Sequence, residues 1–156
     1  MAHFAELKQK QDPTGFTSDT HQVVERVIVV DNNISTAAGP LGDNDMHVDG
    51  ETWCIKFFKG GVWKQTSYNN NFRKQYCGKG LIYDPIKDKF LNSQPHASWA
   101  LDSNDDWQAP VTYPTDTENK GISWDEENQK WIALDLDENS YNWDASALAW
   151  VSAQLI

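Results

Sequence analysis

Trp124-Asp125-Glu126-Glu127-Asn128-Gln129-Lys130-Trp131 reads as a β-hairpin closed by its own side chains. The aspartate can bond its own backbone two residues on, and Asn128 tolerates the left-handed conformation that a tight loop needs. If Asp125 and Lys130 close a four-residue loop, Trp124 and Trp131 face each other on one side of the ribbon, where an aromatic pair contributes about 0.2–1 kcal/mol. A slip of one residue would put the two indoles on opposite faces. Variants of the device recur at Tyr83-Asp84 to Phe90, Trp99 with Asp102 to Trp107, and Trp143-Asp144 to Trp150, so six of the eight tryptophans belong to it. The expected fold is mainly β, α+β at most: antiparallel strands with one short helix near residues 51–58, followed by a series of aromatic-paired hairpins.

Upstream of the hairpins, Phe4 to Lys8 and Val23 to Asp31 read as strands, the second β-branched over most of its length and buried on both faces toward its C-terminal end. Gln9 to Thr20, with Asp12-Pro13-Thr14-Gly15, is the loop of an antiparallel pair. Asp31 to Gly50 is rich in Asn, Ser, Gly, Asp and Pro and reads as an irregular surface segment. Asp49-Gly50-Glu51-Thr52 opens the helix and Gly60-Gly61 closes it, with Trp53, Phe57 and Cys54 at helical spacing on a core-facing stripe. Val62 to Tyr68 alternates as a strand does, and Asn69-Asn70-Asn71 ends it. Phe72 to Gly80 is the one local concentration of positive charge; it reads as a solvated strand or loop edge rather than an anion site. Thr112 to Asn119 reads as a loop or linker. Two regions result: a β-rich body over 1–95 and an acidic tryptophan-hairpin region over 96–156, either separate from the body or packed on it as one domain.

Charge divides along the same line. Residues 1–95 hold 11 acidic and 11 basic side chains, whereas 96–156 hold 12 acidic and two basic, so the whole net charge of −10 belongs to the hairpin region. Such a surface repels phosphate backbones and anionic lipid, which argues against nucleic-acid and membrane partners there. Asp102 to Asp106 and Asp135 to Asn139 are rich enough in oxygen for a calcium loop, but lack the glycine at the sixth position and the glutamate at the twelfth. They read as turn acids. Cys54 and Cys77 form no metal or redox pattern, the four histidines are scattered, and no nucleophile, phosphate-loop or dinucleotide motif occurs. The reading is therefore of a non-enzymatic protein with no catalytic, cofactor or metal residues. Its candidate structural or interface residues are the aromatics Trp99, Trp107, Trp124, Trp131, Trp143, Trp150, Tyr83 and Phe90. The start, Met1 to Leu7, has no basic leader or apolar run of signal-peptide length, which predicts a protein that is not exported by the usual route.

Phe4-Ala5-Glu6-Leu7, Val24 to Asp31, Gly61 to Tyr76, Ser98-Trp99-Ala100-Leu101 within Pro95 to Pro110, and the closing Trp-Asp hairpins together resemble a family of small, mostly uncharacterised proteins of tailed bacteriophages, many from marine and cyanobacterial hosts. Residues 9–20 form a longer insertion than the tight turn usual in that family. The resemblance implies a virion structural or accessory protein at capsid, neck or tail, made in the host cytoplasm and partnered by other virion proteins or by itself as a homo-oligomer. The alternative reading is a carbohydrate-binding adhesion module whose exposed tryptophans stack on host-envelope glycans. Attachment is expected through the first half, whose charges balance to zero, on an apolar inventory of Phe4, Val27, Val29, Trp53, Phe57 and Trp63.

Overall fold

The structure, a computed structural model, describes residues 1–9, 21–36, 39–41 and 48–153. The chain is mainly β, with one short helix and antiparallel pairing throughout the described strands. It divides into two compact units, Met1–Ser93 and Gln94–Ile156. The expected loop over residues 10–20 lies outside the described residues, as do 37–38 and 42–47 of the expected irregular segment.

The first unit is a five-stranded sheet built from β1 (Ala2–Lys8), β2 (Gln22–Val30), β5 (Val62–Thr66), β6 (Ile82–Asp84) and β7 (Lys89–Leu91), in the order β5-β1-β2-β6-β7. Between β2 and β5 stand a two-residue ribbon, β3 (Ser35–Thr36) with β4 (Gly39–Pro40), and the helix α1 (Val48–Phe57). Strand alternation supplies a core on each face of the sheet. Ala2 and Phe4 of β1 point to one side and pack with Val30, Leu41, Cys54 and Trp63. Ala5 and Leu7 point to the other and pack with Val24, Cys77, Tyr83 and Phe90. A bulge between Glu6 and Leu7, where Glu25 of β2 has no opposite number, shifts the register. The apolar run of β2 is not buried throughout: Val29 is 55% exposed while Val24 and Val30 are buried.

α1 begins three residues earlier than expected and ends at Phe57. Its C-terminus is a Schellman motif: Gly60 N–H donates to Ile55 O at 2.7 Å and Lys59 N–H to Lys56 O at 3.3 Å. The left-handed residue is Lys59 (φ 57°), not a glycine. The stripe is also displaced, since Cys54 is fully buried but Phe57 is 62% exposed. Gly50, one turn before Cys54, is required by closeness: a Cβ there would overlap the Phe4 ring and lie 3.0 Å from Leu41 Cδ1.

The second unit is a four-stranded meander, β10 (Lys120–Asp125), β11 (Lys130–Asp135), β12 (Ser140–Asp144) and β13 (Ala149–Ser152), preceded by the ribbon β8 (Ala100–Leu101) with β9 (Trp107–Gln108). Trp124 stands opposite Trp131, Trp143 opposite Trp150, and in the first unit Tyr83 opposite Phe90. In all three hairpins the aspartate closes the loop with the residue five positions on, and its Oδ1 accepts backbone N–H groups of the turn. Asp84 takes Ile86 at 2.9 Å and Lys87 at 3.2 Å, Asp125 takes Asn128 at 3.2 Å, and Asp144 takes Ser146 at 2.9 Å and Ala147 at 3.0 Å. The left-handed position is the fourth after the aspartate, occupied by Asp88, Gln129 and Leu148; it falls on Gln129 rather than on Asn128. The device at Trp99 departs from the expectation. Trp107 pairs with Leu101, and Trp99 lies outside the ribbon.

Candidate interaction surfaces

The meander sorts the aromatics by register. Trp124↔Trp131 and Trp143↔Trp150 are direct pairs, and continuing the β11–β12 register from Ile132↔Asn142 puts Trp131 beside Trp143. Four tryptophans thus form one row across four strands. Ala153 N–H bonds Ser140 O, so by alternation Trp143 and Trp150 occupy a non-hydrogen-bonded pair, where opposed side chains come closest. Their ring centroids are 5.0 Å apart and edge-to-face, as are those of Trp124 and Trp131.

Residues 94–116 strap this row. Trp99 packs edge-on to Trp124 and Trp131 at 6.2 and 5.9 Å, and Tyr113 to Trp131 at 5.0 Å. Trp131 Nε1–H donates to Val111 O and Trp150 Nε1–H to Asp116 O, each at 2.8 Å. Trp124 Nε1–H donates to Glu126 Oε2 at 2.7 Å, and the same carboxylate takes the Ser98 N–H and hydroxyl at 2.8 and 2.7 Å. The Ser98 and Trp124 hydrogen bonds hold Glu126 below the ordinary carboxylate range. Trp124, Trp131 and Trp143 are buried, while Trp99, Trp107 and Trp150 are half-buried; Tyr83 and Phe90 lie in the core of the first unit.

The two oxygen-rich loops are a second type of turn, one residue shorter. Asp102 Oδ1 accepts the N–H groups of Asn104 and Asp106 at 2.8 and 3.0 Å, with Asp105 left-handed (φ 60°). Asp135 Oδ1 accepts those of Asp137 and Asn139, both at 2.9 Å, with Glu138 left-handed (φ 62°). These bonds, with the Asn139 side chain first and Tyr141 Oη after it, hold the Asp135 carboxyl low. Among the described residues, no group of three or more His, Cys, Asp and Glu is arranged to hold a metal ion.

Sequence reasoning missed a polar knot in the first unit. Arg73, expected on a solvated edge, has a side chain only 8% exposed. Its Nη1–H donates to Glu51 Oε1 and Gln65 O, both at 2.9 Å, and its Nε–H to Asp88 Oδ1 at 2.8 Å. Tyr83 Oη makes a short hydrogen bond to the same Asp88 oxygen. Burial opposes the guanidinium charge, but the hydrogen bond and charge of Glu51, with Asp88 close by, more than offset it and raise the Arg73 pKa. Glu51 is the buried partner and Asp88 the half-exposed one, so loss of Glu51 is the costlier of the two, because it leaves the buried guanidinium charge with only a solvent-screened carboxylate. Two consecutive left-handed residues, Arg73 and Lys74, turn the chain to deliver the guanidinium, and no local sequence pattern marks that turn.

The apolar inventory expected to serve attachment is divided: Phe4 and Trp63 are buried, Val27 and Trp53 half-buried, and Val29 and Phe57 exposed, with Trp53 stacked on Phe57 at 4.8 Å. Among the described residues of the first unit, two aromatic side chains are exposed to solvent. One is Phe57 on α1. The other is Tyr68, 67% exposed, whose ring stacks on His3 at 5.5 Å and meets Tyr76 edge-on at 5.3 Å. Burial, with the nearby N-terminal charge, lowers the His3 pKa and favours its neutral ring. Among the described residues no helix is long and apolar enough to cross a membrane. No protein-family model, no curated protein and no solved structure matches the chain.

Proposed function

We propose that the protein is a non-enzymatic structural or accessory component of a tailed-phage particle, present in the host cytoplasm during assembly and acting through protein–protein contacts with other virion proteins or with itself. The observation that carries this reading is the internal use of the tryptophan row. The indole N–H groups of Trp124, Trp131 and Trp150 are bound within the unit, so the row serves as a staple, while on the opposite face of the meander Leu134 and Val151 stand exposed. An exposed sheet face with apolar side chains near its centre suits protein contact. The phage setting rests on the sequence resemblance. Mass spectrometry of purified particles tests it: the protein should co-purify at constant stoichiometry, and its absence from washed particles would overturn the assignment.

A glycan-binding reading keeps one specific support, the exposed Tyr68 ring backed by His3 and Tyr76. It transfers the sugar from the hairpin tryptophans to this triad. On a glycan array, binding by the wild-type chain that Tyr68→Ala abolishes would favour the adhesion module.

A further inference from the structure

We propose that the meander face turned away from the tryptophans is a docking surface for a protein element that is apolar at its centre and basic at both ends. This rests on the protein-contact reading above and names the partner's chemistry. Strand alternation puts two uncharged rows on that face: Ser123, Ile132, Asn142 and Val151, then Gly121, Leu134, Ser140 and Ala153. Leu134 is 51% and Val151 52% exposed. The small residues Gly121, Ser123 and Ser140 beside Ile132 and Leu134 leave a hollow of about 340 Å³.

The surroundings select the occupant. The unit carries 12 acidic and two basic residues, yet none lies in these rows. The carboxylates stand at the two ends instead. Asp125 and Asp144 lie at the end formed by the β10–β11 and β12–β13 turns, where Lys130 stands opposite Asp125 and leaves Asp144 as the unopposed carboxylate, and Asp137 and Glu138 lie at the β11–β12 turn. Five residues of strand separate the ends by roughly 17 Å. A second copy would oppose like-charged rims, and nucleic acid or anionic lipid would be repelled by the same carboxylates. An element with an apolar middle and Lys or Arg about 17 Å apart satisfies both parts: a strand of about five residues or a helix of about three turns.

The experiment uses the full chain, a synthetic peptide of sequence KRLTVSVKR, and a control of equal charge, KRGSGSGKR. Amide chemical shifts should move on titration with the first peptide at Ser123, Ile132, Leu134, Asn142 and Val151. Affinity should fall at least tenfold for the control peptide, and at least tenfold for the double variant Leu134→Ser with Val151→Ser, whose unfolding midpoint stays near wild type because both side chains are exposed. Shifts confined to the acidic turns, or equal affinity in all three cases, would overturn the proposal. A dimer that the double variant dissociates would overturn it too, by making a second copy the occupant. On particles, wild-type occupancy by the double variant would refute this face while the virion assignment stands. Loss of the wild-type protein from particles would refute the assignment and leave the peptide result intact.

Discussion

Trp131→Ala tests whether the tryptophan row holds the second unit together. Trp131 is 6% exposed, touches the rings of Trp99, Tyr113 and Trp124, and donates to Val111 O. Truncating a buried Trp to Ala costs about 3–5 kcal/mol, of which the hydrogen bond accounts for about 1 kcal/mol and each edge-to-face contact for about 0.5–1.5 kcal/mol. A unit of about sixty residues has a stability of about 3–9 kcal/mol at the usual per-residue range. The substitution should therefore remove a third or more of it. With a urea slope of about 1 kcal/mol/M, the midpoint should fall by about 3 M or more. Far-UV circular dichroism with amide resonances assigned to each unit is the appropriate assay, since the seven remaining tryptophans report on both units at once and the units need not unfold together. Trp107→Ala is the control: that indole is half-buried in a two-residue ribbon, outside the row, and should cost about 1 kcal/mol. Unchanged midpoints for Trp131→Ala, or equal losses for the two variants, would refute the staple.

Gly50→Ala opposes two effects of different size: helix propensity gains about 1 kcal/mol, but a Cβ that overlaps the Phe4 ring and presses on Leu41 costs about 1–3 kcal/mol or more. A net loss of thermal stability is expected, and a raised midpoint would show that the helix can shift. Leu148 is left-handed and 62% exposed, so Leu148→Gly should stabilise by about 1 kcal/mol while Leu148→Val destabilises, read by urea unfolding. Acid should weaken both units. Asp125 and Asp135 are held low first by hydrogen bonds from Asn128 and Asn139, and Glu126 by those from Ser98 and Trp124; burial would raise Asp88, but the Tyr83 hydrogen bond and the Arg73 charge outweigh it. A depressed folded-state pKa contributes stability that is full above the unfolded value, about 3.9 for Asp and 4.3 for Glu, and is lost as pH falls through the folded value. Midpoints measured at about 0.15 M salt, where relief of the net repulsion is largely screened, should be flat down to about pH 5 and decline below it. A midpoint that rises between pH 5 and 3 would show that relief of repulsion dominates.

The three hairpins with an aspartate directly after the aromatic were legible because each is local. A short loop, an acid that bonds its own turn and a spacing that returns two aromatics to one face all lie within eight consecutive residues. The first antiparallel pair was legible too, from its β-branched run, and so was the division of charge. The Trp99 device failed for the same physical reason that the others succeeded: Asp102 sits three positions after Trp99 rather than one, so the turn closes on Leu101 and Trp107 and leaves Trp99 to pack elsewhere. The row itself left a faint trace, since Trp124 and Trp143, like Trp131 and Trp150, stand 19 residues apart. That spacing becomes a row only through the register of β11 on β12, which depends on the Asp135 turn. The strap over residues 94–116, the burial of Arg73 between Glu51 and Asp88, and the uncharged face of the meander were decided by tertiary structure alone. Each joins side chains brought together by packing, and no local preference of the chain encodes which distant carbonyl or carboxylate a buried donor will meet.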